Sequence, residues 1–328
     1  MSRKLTYVQA INEAVTQMMD KDSSVFIMGI GVNSPWYVGQ SCAGLYERFG
    51  DKRVIDTPVA ENSMTGVAVG AAMAGLRPII VHPRMDFMYY AMDQIINQAA
   101  NWHYMFGGRV NVPVTIRGIV NRGGEQAAQH SQSLQAMFMH VPGLKVVMPS
   151  TPYDAKGLLV ASIKDDNPVI YIDDRWLYEQ SGEVPEELYE VPIGKGIIRR
   201  EGRDITVVAT SYLACEAYKA AGKLEKEGID TEIVDLRSLK PIDNNLVIES
   251  VKKTGRLVIA DGGWKTGGAG AEISALVVGS AFKYLKAPIM RVSLPDAPAP
   301  ASSVLEKAYY PTAATIVSAV KKVLEESL

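Results

Sequence analysis

Three side chains in this sequence have the type and setting for acid–base chemistry or ring stacking. Glu61 ends the run Val54-Ile-Asp-Thr-Pro-Val-Ala-Glu61, at the turn between a short apolar strand and a helix of small residues that reaches Gly75. A lone carboxylate there is suited to holding a ring nitrogen of a cofactor, and it also complements the positive end of a helix dipole. Phe87 lies in His82-Pro-Arg-Met-Asp-Phe-Met-Tyr-Tyr-Ala-Met-Asp93, just before a helical pattern. An aromatic ring there packs in a core or offers its face to another ring. His130, in Gln126-Ala-Ala-Gln-His-Ser-Gln132, follows Gly123 and Gly124. Such a histidine is a structural hydrogen-bonder, or a group that protonates or orients a carbonyl or carboxylate near neutral pH. A glycine-rich stretch, Gly262 to Glu272, follows a strand and opens a helix. It lacks the GxGxxG spacing and the later ribose-binding acid of a nucleotide site.

The elements that would position these residues are short β-branched strands separated by helices. In the first half, strands are expected at 25–29, 54–56, 78–82, 112–117, 144–148 and 168–172. Helices are expected over 7–19, 39–49, the stretch after Glu61, and 88–105. That alternation predicts an α/β fold with a parallel sheet covered on both faces. Periodicity fails from Asp173 to Pro192, which reads as a linker. The expected domains are residues 1–185 and 186–328. The second is another α/β unit, with strands near 205–209, 231–235, 256–260 and 289–292.

Composition narrows the function classes. At 328 residues, the chain is long enough for two domains with sizeable cores. Its formal net charge of −2 argues against a basic face for nucleic acid or an anionic membrane. The two cysteines, Cys42 and Cys215, are far apart and outside any CxxC pattern, so reduced thiols and a cytoplasmic setting are expected. No apolar run reaches the roughly 18–20 residues of a membrane span. Met1-Ser-Arg-Lys-Leu-Thr-Tyr has neither the apolar stretch nor the cleavage site of a signal peptide.

Asp56-Thr-Pro at a strand end, Glu61, Gly66 and the Gly70–Gly75 helix, with Phe87 and the Ala128-Gln-His-Ser-Gln132 loop, resemble a known pattern. It is that of the β subunit of the thiamine-diphosphate-dependent 2-oxo-acid dehydrogenase decarboxylating component, of pyruvate or acetoin type. The resemblance covers nearly the whole chain. It implies a thiamine-diphosphate pyrimidine-binding domain followed by a transketolase C-terminal-type domain. It implies that Glu61 hydrogen-bonds the aminopyrimidine, that Phe87 stacks on it with Val59 alongside, and that His130 handles substrate. It implies oxidative decarboxylation of a 2-oxo acid and acyl transfer to a lipoyl partner. Val114, Ser162, Asp165 and Asn167 match a potassium site built mainly from main-chain carbonyls, where an ordinary helix-to-strand turn would read the same. The Gly-Asp-Gly motif that grips diphosphate and Mg2+ in related enzymes is not found. An α subunit carrying it is therefore expected, in an α2β2 assembly.

The pattern is broken at several positions. The family commonly has an acidic pair after the first strand, where this chain has Gly29-Ile-Gly-Val32, and an acid where Val81 stands. A cofactor-contacting methionine is replaced by Pro83, beside Arg84. Arg84 and Arg122 suit carboxylate or phosphate groups, or else a surface or interface. They keep open a second expectation, the small subunit of a split transketolase-like enzyme moving a two-carbon ketol unit between sugars. A non-catalytic assembly subunit is a third, disfavoured by the joint presence of Glu61, Phe87 and His130.

Overall fold

The computed structural model describes residues 3–326. They form two compact units. The first holds the chain up to Arg122, His130–Gln132 and Met137–Ile193; the second holds Gly123–Gln129, Ser133–Ala136 and the chain from Gly194 on.

The strands of the first unit are β1 (Arg3–Thr6), β2 (Val25–Gly29), β3 (Val54–Asp56), β4 (Arg77–His82), β5 (Thr115–Val120), β6 (Lys145–Val147), β7 (Val169–Asp174) and β8 (Ser181–Val184). Six of them lie in the order β6-β7-β5-β4-β2-β3, with every pairing parallel. All residues of β2, β5 and β7 are buried, as expected where helices cover both faces. β1 and β8 form a separate antiparallel pair. The helix Tyr7–Lys21 starts at a reciprocal capping box between Thr6 and Gln9. It buries Tyr7, Ala10, Ile11, Ala14, Val15 and Met18 along one face and packs on the helix Pro152–Lys164.

Two stretches differ from the helices expected of them. Residues 88–105 divide into a 3-10 turn (Met85–Ala91), a π-helix (Asp93–Ala99) and an α-helix (Ala100–Met105). The buried side chains explain the change of pitch. Met85, Met88 and Ala91 are three apart, which suits a 3-10 turn; Ala91, Ile95 and Ala99 are four apart, which suits a wider one. Residues 39–49 hold only a short turn (Tyr37–Gln40) and the helix Leu45–Phe49. Gly44, at φ +76°, separates the two.

The second unit contains β9 (Ile197–Arg200), β10 (Ile205–Ala209), β11 (Thr231–Asp235), β12 (Ser238–Lys240), β13 (Leu257–Trp264) and β14 (Met290–Leu294). Five of these form a sheet in the order β14-β13-β10-β11-β9, parallel except for β9. Its core joins Val207, Ile233 and Val258 of the sheet to Ala217 and Leu224 of the helix Ser211–Glu225, and to Ile316 and Val320 of the helix Ala313–Glu325. Among the described residues no helix is long and apolar enough to cross a membrane.

Candidate active site

In the first unit the chain passes from β2 to β3 on one side, then to β4 on the other. Such a reversal opens a crevice at the carboxyl ends of parallel strands, where ligands of open α/β sheets bind. Gly29 ends β2 at φ +151°, and a Cβ there would lie 2.5 Å from the main-chain oxygen of Val81. Only glycine permits this approach. Beyond it, the Gly31 N–H donates to Asp56 Oδ1 at 2.6 Å. The Tyr37 ring lies where a Gly31 Cβ would stand. Where an acidic pair is expected from the resemblance, this chain has a glycine turn clasped by Asp56 and Tyr37.

Glu61 is the first residue of the helix Glu61–Met73 and is buried at 8% exposure. Ala60, at the cap, has no side-chain acceptor for the helix's first N–H groups. Val59, two residues earlier, is 75% exposed. The helix packs against the turn that carries Phe87. Phe87 meets His130 edge-to-face, with ring centroids 5.4 Å apart and planes at 84°. The structure thus puts Glu61 and Phe87 on adjoining elements and brings Phe87 and His130 into contact. Asp86, absent from the sequence-derived set, is buried and accepts a hydrogen bond from the Gln132 N–H at 3.1 Å.

Beneath these residues, the fully buried His82 pairs its Nε2 with Thr65 Oγ1 at 3.2 Å, while Nδ1 finds no hydrogen-bond partner. Burial pushes its pKa down from 6.5 to about 4. The imidazole is therefore neutral in the folded protein. Below pH 6.5 the unfolded chain takes up a proton that the folded chain refuses until about pH 4. His82 thus lowers stability as pH falls through that window, by up to about 3 kcal/mol, and has no such effect above it. In His82→Phe the acid-side decline of the urea midpoint should be shallower by one proton. An unchanged slope would refute this assignment.

The two arginines outside the family pattern have different surroundings. Arg122 is buried, ion-paired with Asp174 at 2.8 Å, and lies over the Trp176 ring at 5.7 Å. Its charge is taken up within the unit. Arg84 is partly buried and donates to the Pro83 carbonyl at 2.9 Å.

Val114, Ser162, Asp165 and Asn167 lie around the end of the helix Pro152–Lys164 and the start of β7. The Val114 carbonyl accepts from the Val169 N–H, and that of Ser162 from the Asp165 N–H. Asp165 binds Lys145 and the Asn167 N–H. Arg77 donates to the carbonyls of Ile163 and Asp165, both at 3.1 Å. Arg77 and Lys145 thus already bring positive charge to this turn.

In the second unit, the glycine-rich stretch has supplied its own anion. The Asp261 carboxylate accepts from the Gly263 and Gly270 N–H groups, each at 3.2 Å, and from Gln135 at 2.6 Å. It sits at the start of the helix Ala269–Ala281, where a phosphate would bind.

Comparison with known proteins identifies the two domains. Residues 3–180 match the transketolase pyrimidine-binding domain, and residues 194–316 the transketolase C-terminal domain. The chain is 46% identical to the acetoin:2,6-dichlorophenolindophenol oxidoreductase subunit beta of Cupriavidus necator, over 99% of both chains. It is 45% identical to the pyruvate dehydrogenase E1 component subunit beta of Rickettsia felis, over 98% of both. It is 42% identical to the mitochondrial counterpart of Rattus norvegicus, over 98% of this chain and 91% of that one. A solved structure described as a split-gene transketolase, inactive beta4 tetramer, has the same fold, with a TM-score of 0.80 at 24% identity and 99% coverage of both chains. The chain therefore belongs to the thiamine-diphosphate-dependent family of β subunits of the pyruvate and acetoin dehydrogenase E1 component, which work with an α partner.

Proposed function

We propose that this chain is the pyrimidine-binding half of an α2β2 dehydrogenase that oxidatively cleaves pyruvate or a similar small 2-oxo compound. The observation that carries the reading is the buried Glu61 carboxylate at a helix start, on an element packed against the turn where Phe87 meets His130. A carboxylic acid and an aromatic face are what an aminopyrimidine ring requires, so these residues fit thiamine diphosphate. Among the described residues, no three His, Cys, Asp or Glu side chains gather to hold a metal ion. We assign the Mg2+ and diphosphate grip to the α subunit. The same reading proposes potassium at Val114, Ser162, Asp165 and Asn167, mainly through main-chain carbonyls. A lipoyl acyltransferase as acceptor and a cytoplasmic location follow from the same reading.

Bound thiamine diphosphate supplies a stabilised carbanion for attack on a carbonyl carbon. Glu61 holds a proton at the pyrimidine ring nitrogen, acting as an acid–base group on the cofactor. Phe87 fixes the ring plane by stacking, and Val59 gives an apolar contact beside it. His130 donates a hydrogen bond to the substrate carbonyl or carboxylate oxygen. Arg122, spent on Asp174, offers nothing to a sugar phosphate, which removes one of the two arginines that favoured ketol transfer.

The test is reconstitution with the α subunit, thiamine diphosphate and Mg2+. Carbon dioxide release from a panel of 2-oxo acids, and reduction of an artificial electron acceptor with acetoin, would be measured. Activity with pyruvate or acetoin is expected. A cofactor-loaded assembly inert towards the whole panel would defeat the proposal.

A further inference from the structure

The segment carrying His130 is gripped from one side by two consecutive residues. Phe87 touches the His130 ring, and Asp86 holds Gln132, two residues further on. Asp86 is only half satisfied. Its Oδ1 accepts the Gln132 N–H, while its Oδ2 is buried without a hydrogen-bond partner. A carboxylate oxygen left bare inside a protein is costly. The arrangement calls for a positive group that approaches it in a working state.

We propose that Asp86 is a positioning residue for His130: one oxygen anchors the His130 segment through Gln132, and the other balances the charge of a protonated His130. This rests on the reading that His130 handles substrate. A buried carboxylate behind an imidazole fixes its orientation and stabilises its cationic form, while the far side of the ring is left for the substrate.

Two cations near Asp86 can answer its charge, Arg84, which donates to the Pro83 carbonyl, and His130. Arg84 and Tyr89, on the same turn, also feel Asp86. Elements packed against the turn bring Glu61, His82, Arg77, Arg117 and Asp93. His82 is neutral, Arg117 is spent on Asp173, and Arg77, at the far end of β4, on Asp166. Asp93 is an anion that accepts from Asn97. Burial pushes the Asp86 carboxyl up, while the main chain and side chain of Gln132, the Asp86 main chain and, least of these, the His130 charge pull it back.

Two substitutions separate the roles. Asp86→Asn keeps an oxygen for the Gln132 N–H and loses the charge; Asp86→Ala loses both. The assembled enzyme would carry 13Cε1-histidine in this chain, with the His130 resonance identified by its loss in His130→Asn. In Asp86→Asn, the His130 pKa should fall by about one unit, with protease cleavage within 123–132 unchanged. In Asp86→Ala the pKa should fall and cleavage should quicken. An unchanged or raised His130 pKa in Asp86→Asn would overturn the charge role, and unchanged cleavage in Asp86→Ala the anchor. A readout that needs no variant is the Asp86 carboxyl 13C signal of the wild type, which should report both titrations. A single step independent of His130 would count against the pair. Should the wild type be inert towards pyruvate and acetoin while these shifts appear, the proposed function fails and the pairing stands.

Discussion

Glu61→Gln, assembled with the α subunit and loaded with cofactor, is expected to lose about 10²- to 10⁴-fold in turnover while keeping its fold. The amide has nearly the carboxylate's size and fills the same buried position at the start of its helix. It retains a hydrogen-bond acceptor but cannot hold and return a proton at a ring nitrogen. The loss should therefore appear in kcat and in cofactor activation more than in KM, since substrate contacts are assigned to His130. The rival role, a carboxylate that only complements the helix dipole, makes a different forecast. Removing that charge would cost about 0.3–1 kcal/mol of stability and leave turnover alone. Thermal unfolding of the variant and its rate of deuterium exchange at the cofactor's reactive carbon distinguish the two. Near-normal exchange and turnover would end the assignment of Glu61 to catalysis.

Much of the scaffold was legible because its signals are local. The strands β2, β4, β7, β10 and β11 announce themselves as short β-branched runs that stay buried throughout or nearly so. The helix Tyr7–Lys21 has both its cap and its period in the chain itself. The segment 39–49 misled because its conformation is imposed from outside. Val38 is held at φ +46°, disfavoured for a β-branched residue, and Ser41 is tied to Arg117, 76 positions away. In the site, Glu61, Phe87 and His130 stood out by their setting and by resemblance. Asp86 did not, although it adjoins Phe87, because its partner lies 46 residues on. Asp173 and Asp174 sat in a stretch read as a linker. They end β7, and what fixes them is a pair of arginines on the neighbouring strand and just beyond it. Spacing along a chain carries no sign of such pairings. A buried acid becomes intelligible only with its cation in view.

That dependence sets the second large effect. Arg117 and Asp173 are both fully buried and joined by two bonds, at 2.9 and 2.8 Å. Arg117 also donates to Ser41 Oγ at 2.7 Å and to the Tyr178 hydroxyl at 3.1 Å. Tyr178 in turn donates to Asp173 at 2.5 Å. Arg117→Met should destabilise the protein by about 3–5 kcal/mol, because it strands a carboxylate in the interior with one hydroxyl for company. Asp173→Asn should cost a comparable amount, since one oxygen replaces two, its amide N–H meets an Arg117 N–H, and the buried guanidinium loses its counter-charge. The double variant Arg117→Met/Asp173→Leu should recover much of the loss, because removing both charges also removes their desolvation. A double variant no better than Arg117→Met would show that the network, rather than charge balance, dominates. The effect should extend to function. Ser41 belongs to the loop that follows β2, and Arg117 lies on β5, the strand next to β4, which leads to Phe87. Loosening that link should raise KM for the assembled enzyme at temperatures where the variant is still folded. A variant that is destabilised but kinetically normal would confine the network to holding the fold.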